Sequence, residues 1–221
     1  MDTKMILFDF DGTLVDSAPD LANSANYLRL EKGLAPLPLA YLRPYASMGA
    51  RGLLKAALDL DMEHPDFEPQ KQIFLEHYAA NSTVHSQLFE GVESLIQQLD
   101  AHRIPWGVVT NKALGLTLPI MRHFALLERS TVTIGGDCTP HLKPNPASLF
   151  LACERTGVAP EQCVYIGDDE RDIVAGKAAG MTTMIAAYGY CHFDPAIPSW
   201  QANWVANHAD DIFPLLEQHW L

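Results

Sequence analysis

Long hydrophobic runs and clusters of basic residues are both missing from this sequence. No apolar stretch approaches the roughly 20 residues of a membrane-spanning helix, and the start, MDTKMILFDFDG, has an acidic second residue and a short apolar run, unlike a signal peptide. With 15 basic against 27 acidic residues, the net charge of -12 argues against binding to nucleic acid phosphates. We therefore expect a cytoplasmic protein with neither a membrane nor a nucleic acid as partner.

Cysteine is scarce, and its spacing excludes two common kinds of site. The cysteines, at positions 138, 153, 163 and 191, stand too far apart for a CxxC pair, and the histidines form no HExxH motif. A structural zinc site is therefore not expected. Free thiols in a reducing compartment fit this pattern better than disulfides do.

What the chain does contain is an alternation of strand-like and helix-like segments. Runs of β-branched and apolar residues predict strands at 5–10, 104–110, 131–135, 163–167 and 182–187. Apolar residues at helical spacing predict helices at 91–101, 112–124, 146–156 and 170–180. Strands that alternate with helices indicate an α/β fold with a doubly wound, Rossmann-like parallel sheet.

One long interval between the first and second predicted strands breaks this alternation. It is far longer than the usual connection of a few residues plus a helix, and its segments 19–31, 38–46, 51–60 and 67–81 predict helices. We therefore expect a core domain of residues 1–16 and 86–221 and an inserted helical domain of residues 17–85. The tail, 209–221, predicts a final helix.

The segment ILFDFDGTLVDS, residues 6–17, ends an apolar run in Asp9 and Asp11. If the extended backbone continues through both, their carboxylates lie on the same face. Like charges at such short range raise one pKa strongly unless a cation neutralises them. A divalent metal is therefore the first expectation, and a plain strand followed by an Asp-Gly turn is the alternative.

Polar residues also follow the later strands, and ligands of open α/β sheets bind at the carboxyl ends of the strands. The residues at these strand ends are Thr110, Asn111, Lys143, Asp168, Asp169 and Asp172. Taken singly, they also fit a helix cap, a solvated loop lysine and an acidic helix N-terminus. Their recurrence at successive strand ends favours a single catalytic site.

Together these segments resemble the motifs of the haloacid dehalogenase superfamily of hydrolases. DFDGTLVDS, VVTNK, LKPNP and IGDDERDIVAGKAAGM occur in this order and span nearly the whole chain. The sequence is similar to the phosphoglycolate phosphatase-like group, while WGVVTNK and AAYGYCHFDPAIPSWQANWVANHADDI also resemble bacterial N-acetylmuramic acid 6-phosphate phosphatases. The resemblance implies that the insertion is the helical cap domain of the superfamily.

The resemblance also implies roles for the carboxylates. Asp9 is the implied nucleophile that forms an aspartyl-phosphate, and Asp11 first protonates the leaving alcohol and then activates water. Mg²⁺ is the implied cofactor, held by the Asp9 carboxylate, the Asp11 backbone carbonyl and Asp168. Asp172 is implied to orient metal-bound water or the motif lysine, and Asp169 is an accessory ligand ranked behind it.

The remaining motif residues are implied to bind phosphate. Phe10, the Thr110 hydroxyl and the Asn111 backbone N–H belong to this set. Lys143 offsets negative charge on the nucleophile and on the phosphoryl group in the transition state.

The choice of reaction depends on Asp11, because dehalogenases of the superfamily lack an aspartate at this position. We therefore expect a magnesium-dependent phosphomonoesterase. A phosphomutase resembling β-phosphoglucomutase is the nearest enzymatic alternative, and a non-catalytic protein that binds a phosphate ligand is the alternative from another class. The intact set of Asp9, Asp11, Lys143 and Asp168 weighs against a non-catalytic protein.

The substrate prediction depends on SMGARGLL, residues 47–54, in the insertion. Its glycines predict a loop, and Arg51 carries the planar fork that suits a carboxylate. A helix-start loop with a surface arginine is the alternative. We expect a small, carboxylated phosphate ester, with 2-phosphoglycolate first and N-acetylmuramic acid 6-phosphate as the alternative. Monomer and homodimer both stay open.

Overall fold

The structure, a computed structural model, describes residues 4–191 and 196–221. The first three residues of the predicted core domain lie outside this part, as does HFDP at 192–195 within the C-terminal segment of the resemblance. The chain divides into an α/β unit, Met1–Val15 with Leu88–Leu221, and a helical unit, Asp16–Gln87. Among the described residues, no helix is both long and apolar enough to cross a membrane.

The bounds of the elements are as follows. The strands are β1 Met5–Phe8, β2 Val15–Asp16, β3 Gln87–Leu88, β4 Trp106–Val109, β5 Thr133–Ile134, β6 Cys163–Gly167, β7 Thr182–Ala186 and β8 Trp204–Ala206. The α-helices are α1 Ala18–Glu31, α2 Leu39–Leu42, α3 Gly49–Leu58, α4 Phe67–Asn81, α5 Val92–Ala101, α6 Leu114–His123, α7 Ala147–Thr156, α8 Glu170–Ala178 and α9 Ile212–His219. Short 3-10 helices cover Arg43–Met48, Ala125–Arg129, Pro160–Gln162, Ile197–Trp200 and Ala209–Asp211.

The α/β unit is built on a parallel sheet in the order β5-β4-β1-β6-β7-β8. β1 lies in its centre, with Phe8 opposite Val108 of β4 on one side and opposite Ile166 of β6 on the other. All residues of β1, β4 and β6 are buried, as expected of parallel strands covered by helices on both faces. The predicted doubly wound α/β fold is confirmed, and the carboxyl ends of β4, β1 and β6 lie side by side.

Several strands, though not β6, end earlier than the sequence predicts. β1 ends at Phe8 instead of residue 10, because the chain turns immediately afterwards and the Phe10 carbonyl accepts hydrogen bonds from the backbone N–H groups of Leu14 and Val15. β5 is reduced to Thr133–Ile134. The prediction also missed the edge strand β8, whose three residues are too few to show an alternating pattern.

The helical unit packs α1, α3 and α4 around a small apolar core. Leu28, Leu53 and Phe74 are all fully or almost fully buried, and each such side chain contributes roughly 1.5–3 kcal/mol by leaving water. The unit is also fixed at its beginning, since the Arg43 guanidinium contacts both Asp16 carboxylate oxygens at 2.8 and 2.9 Å.

Two predictions for the helical unit need correction. The helix predicted at 38–46 is instead the single-turn α2 followed by a 3-10 helix, because Pro44 lies in its middle and lacks the backbone N–H that an α-helix needs there. The stretch predicted as a glycine loop is largely helix α3, which begins at Gly49 with a φ of 58°.

Candidate active site

Asp9 comes directly after β1, at the carboxyl edge of the sheet. Its backbone N–H donates to the Ile166 carbonyl at 2.8 Å, which extends the pairing of β1 with β6 by one residue. Gly12 then turns the chain with a φ of 86°, in the left-handed region that favours glycine. The Asp9 side chain is therefore held on the central strand of the sheet, above its end.

Lys143 contacts Asp9 in the interior of this site. Its Nζ lies 2.9 Å from Asp9 Oδ1 and 2.7 Å from Asp172 Oδ1, and the lysine is 4% exposed. The same Nζ donates to the Tyr165 hydroxyl at 2.7 Å and to the Val109 carbonyl at 3.2 Å. A buried ammonium needs acceptors for all of its protons, and these groups supply them.

Asn111 positions the Lys143 segment through its side chain. Its amide Nδ2 donates to the Lys143 carbonyl at 3.0 Å, and its Oδ1 accepts from the Lys143 backbone N–H at 2.8 Å. The end of β4 and the loop that carries Lys143 are thereby joined by a two-way hydrogen bond. Gly136 allows this close approach, because a Cβ there would lie 2.1 Å from the Asn111 carbonyl oxygen.

Asp168, at the end of β6, is 2% exposed and is held from two sides. Thr13 Oγ1 donates to its Oδ1 at 3.0 Å, and the Tyr190 backbone N–H donates to its Oδ2 at 2.9 Å. Glycine backbone covers it closely, since a Cβ at Gly12 would lie 2.2 Å from Asp168 Oδ2 and one at Gly189 would lie 2.5 Å from Asp168 Cβ.

Asp172 and Asp169 lie at the start of α8 and have different partners. They form a capping box, in which Asp169 accepts from the Arg171 backbone N–H and Asp172 Oδ2 accepts from the Asp169 backbone N–H. Asp172 is buried and its other oxygen faces Lys143. The Asp169 carboxylate instead pairs with the Arg171 guanidinium at 2.7 and 2.8 Å.

Asp11 points to a different lysine from the one that Asp9 contacts. Lys112 Nζ lies 3.0 Å from Asp11 Oδ1 and 3.1 Å from Oδ2. The lysine side chain is 7% exposed and the aspartate side chain 17%. The sequence predicted that Asp9 and Asp11 lie on the same face of an extended strand. This prediction is wrong, because β1 ends at Phe8 and the chain turns before Asp11.

Burial controls the ionisation of the inner groups. It raises the pKa of Asp9 to about 6, against the attraction of Lys143, and the charge on Asp172 adds to the rise. Burial also raises the pKa of Asp168 well above its ordinary value, with Asp9 and Asp172 contributing. Burial alone would lower the pKa of Lys143, but the attraction of Asp172 and Asp9 outweighs it, so the pKa is raised and the ammonium stays charged.

The inner carboxylates fit a divalent cation. Asp9, Asp168 and Asp172 each offer an oxygen within 4.8 Å of the others. Asp9 Oδ1 is buried and forms no hydrogen bond, although Lys143 Nζ is near. Carboxylate oxygens are the ligands that Mg²⁺ and Ca²⁺ prefer, and a cation would offset the burial and repulsion that raise the pKa values of Asp9 and Asp168. The acidic group can therefore hold such an ion.

The other predicted phosphate-binding residues occupy separate places. Thr110 follows β4, is 3% exposed, and its Oγ1 accepts from the Lys112 backbone N–H at 3.2 Å. Phe10 is fully buried. Arg51 is exposed on α3 of the helical unit. In the α/β unit, Lys143 thus contacts Asp9 and Asp172, and Asp168 lies within 4.8 Å of both carboxylates. Arg51 belongs to the other unit.

Sequence reasoning missed two residues, Lys112 and Tyr165. Lys112 is part of the quoted motif VVTNK. Its position directly after Thr110 and Asn111 is the sequence signal that could have identified it as a site residue. Tyr165 lies inside β6 and reads as an ordinary aromatic strand residue. Its hydroxyl also donates to the Val109 carbonyl at 2.8 Å and lies 3.2 Å from Asp172 Oδ1, contacts that no sequence pattern reveals.

Comparison with known families and proteins adds three observations. A family model described as "Haloacid dehalogenase-like hydrolase" matches residues 6–186. The chain is 43% identical over 203 residues to a protein named "Phosphoglycolate phosphatase" of Xanthomonas campestris pv. campestris (strain 8004), with 90% of each chain covered. It is 36% identical over 218 residues to a protein named "N-acetylmuramic acid 6-phosphate phosphatase" of Pseudomonas aeruginosa, with 99% of this chain and 96% of the relative covered.

A similar fold is also found among solved structures. The crystal structure of a "predicted phosphoglycolate phosphatase" from Haemophilus somnus 129pt matches with a TM-score of 0.85 at 29% identity. The match covers 97% of this chain and 98% of the other.

Proposed function

We propose, since this chain belongs to the haloacid dehalogenase-like hydrolase family, that it is a phosphomonoesterase acting through an aspartyl-phosphate on Asp9. The observation that carries the proposal is the buried group in which Lys143 Nζ lies 2.9 Å from Asp9 and 2.7 Å from Asp172. This arrangement presents a nucleophilic carboxylate beside a fixed cation, as phosphoryl transfer needs. The resemblance of the motifs supports the same reaction.

In the first step, an Asp9 carboxylate oxygen attacks phosphorus and the bond from phosphorus to the ester oxygen breaks. Asp11 gives its proton to the departing oxygen, which leaves as an alcohol. Lys143 reduces the negative charge that builds up around Asp9 and the phosphoryl oxygens. Thr110 and the backbone after it contribute hydrogen-bond donors to those oxygens.

In the second step, water attacks the phosphorus of the aspartyl-phosphate. Asp11, now ionised, takes a proton from this water, and the bond from phosphorus to the Asp9 oxygen breaks. Inorganic phosphate leaves, and both carboxylates return to their starting states. The sum of both steps is an ester plus water giving an alcohol plus phosphate.

Mg²⁺ is the proposed cofactor, held by the Asp9 carboxylate, the Asp11 backbone carbonyl and Asp168, where it would neutralise phosphoryl oxygens and orient them. Asp172 has both oxygens engaged by protein donors. We therefore assign it to orienting Lys143 and metal-bound water. Asp169 is bound to Arg171, and its proposed part is limited to capping α8.

The proposed substrate is a small phosphate ester with a carboxylate, with 2-phosphoglycolate first. The 43% identity to the Xanthomonas protein of that name supports this choice. N-acetylmuramic acid 6-phosphate is the second candidate, because the similarity to the Pseudomonas protein extends over 99% of the chain. Arg51, on what we propose to be the cap domain, stays the predicted partner of the carboxylate.

Magnesium-dependent release of inorganic phosphate tests the proposal. The panel contains 2-phosphoglycolate, N-acetylmuramic acid 6-phosphate and glucose 6-phosphate, each with and without a chelator. We expect release that needs Mg²⁺ and is fastest with one of the carboxylated esters. Folded protein that releases no phosphate from any ester would contradict the function, and conversion of one hexose phosphate into another would indicate a mutase.

A further inference from the structure

We propose that Lys112 is a positioning residue for Asp11, in the way that Lys143 serves Asp9. This inference rests on the proposed function. The motif resemblance gives Asp11 its acid and base role but gives Lys112 none. The structure adds the contact between them, with Lys112 Nζ at 3.0 and 3.1 Å from the two Asp11 oxygens.

The local backbone supports a specific contact between these two residues. Lys112 comes two residues after Thr110, and its backbone N–H donates to the Thr110 hydroxyl, which fixes where the lysine leaves the end of β4. Asp11 is fixed in turn by a backbone bridge to Val15. The pair therefore joins two strand-end turns that are 101 residues apart in sequence.

Burial makes this pair different from the surface ion pairs of the protein. The Lys112 side chain is 7% exposed, whereas Lys71, which pairs with Glu68 at 3.2 Å on α4, is 39% exposed. A long lysine side chain held in one position loses conformational freedom, and a bidentate contact restricts the carboxylate as well. The buried contact therefore holds the Asp11 carboxylate in one orientation beside the Asp9 group.

An acid that protonates a leaving group must face it at hydrogen-bond distance. A carboxylate has two oxygens, and Lys112 can retain one of them while the other turns to the ester oxygen and later to water. Lys112 thereby fixes the rotation of the Asp11 side chain during both steps. It carries no proton in this scheme, so the atom balance of the reaction is unchanged.

The test uses two esters that differ in their need for an acid. The leaving group of 2-phosphoglycolate needs a proton, whereas that of p-nitrophenyl phosphate leaves readily as the anion. We expect Lys112→Met to lower kcat/KM by about 10- to 100-fold with the first ester and by less than about threefold with the second. Lys112→Arg should recover part of the loss, because it restores a cation with two donors.

A double-variant cycle separates action through Asp11 from other effects. Asp11→Asn alone should lower kcat/KM for 2-phosphoglycolate by about 100-fold or more, and adding Lys112→Met should change it by less than about threefold further. Lys71→Met is the matched control, expected to have native kinetics. Thermal melting identifies misfolding, and Lys112→Gln, which keeps an N–H donor, replaces the methionine variant if that does not fold.

Several outcomes would overturn the inference. Equal losses with both esters would place Lys112 on the phosphoryl group, an additive loss in the Asp11→Asn background would show that it acts independently, and native kinetics of Lys112→Met would show no part in catalysis. Native protein that hydrolyses neither ester would overturn the proposed function itself, which distinguishes the two failures.

Discussion

Asp9 and Asp11 are separated by one residue in the chain, and they have different partners. Asp9 belongs to a buried cluster with Lys143, Asp168 and Asp172, where burial raises its pKa to about 6. Asp11 pairs with Lys112 instead, and its side chain is 17% exposed against 13% for that of Asp9. A two-residue spacing therefore does not make two carboxylates equivalent, because a single turn after β1 gives each a separate lysine.

The strongest test of this difference replaces the inner carboxylate. Asp9→Asn removes the proposed nucleophile, and we expect a loss of at least about 10,000-fold in kcat. Since the pKa of Asp9 is raised, its neutral form is favoured in the fold, so the neutral asparagine should leave the melting temperature of metal-free protein unchanged or higher. Phosphate release and thermal melting measure both effects. Substantial residual turnover would assign the nucleophile elsewhere.

Removing each lysine in turn compares the two pairs by stability. Lys143→Met leaves buried carboxylates without their cation, and we expect the free energy of unfolding to fall by about 3–5 kcal/mol. Lys112→Met should cost less, about 1–3 kcal/mol, because it leaves one carboxylate without its cation, whereas Lys143 contacts two. Urea unfolding in the presence of a chelator measures both. Equal losses would show that the second carboxylate beside Lys143 makes no difference to stability.

Metal binding should depend on pH through the inner group. A carboxyl whose folded-state pKa is raised stabilises the protein below its unfolded pKa, and this contribution disappears as the pH rises through the folded value, here about 6 for Asp9. Protons therefore compete with the cation at pH 5 and hardly at pH 7.5. At a Mg²⁺ concentration one hundred times the Kd measured at pH 7.5, the ion should raise Tm by roughly 5–10 °C at pH 7.5. The same Mg²⁺ concentration should raise Tm by clearly less at pH 5.

The control for the metal experiment is Asp168→Asn, which removes a proposed ligand and should abolish most of the shift. An equal Mg²⁺ effect on Tm at both pH values would place the ion away from Asp9.

The smallest expected effect concerns the Tyr165 hydroxyl. Tyr165→Phe keeps the ring in the core and removes one acceptor of Lys143, so we expect about a tenfold fall in kcat with little change in KM, and a loss of about 1 kcal/mol. Tyr188→Phe, which removes a hydroxyl bound to the Thr13 carbonyl at 2.9 Å, is the matched control. Steady-state kinetics measure kcat and KM of both variants. If the two variants have the same values, the Tyr165 hydroxyl has no part in catalysis and the residue serves packing.

Local patterns predicted the elements that persist over several turns or residues. The helix at 67–81 and the strand at 163–167 have the predicted bounds. The edge strand β8 escaped prediction because its three residues are too few to show a pattern of their own, and only its pairing with β7 defines it.

The candidate site likewise contains residues that the sequence motifs predicted and residues that only the folded structure reveals. Motif resemblance selected Asp9, Lys143, Asp168 and Asp172, and the structure brings these residues into one group. The amide clamp of Asn111 on Lys143 and the hydroxyl of Tyr165 depend on three-dimensional neighbours. Asp169 illustrates the converse, since an acidic residue inside a motif is occupied by its neighbour Arg171.

The central position of β1 in the sheet has a consequence for biosynthesis. Its hydrogen-bonding partners are β4, which begins at Trp106, and β6, which begins at Cys163. On the ribosome, this apolar strand is therefore made long before either neighbour exists. The helical unit, whose contacts are local in sequence, can fold during that interval, while β1 must wait with both edges open and depends on chaperones or on speed to avoid aggregation.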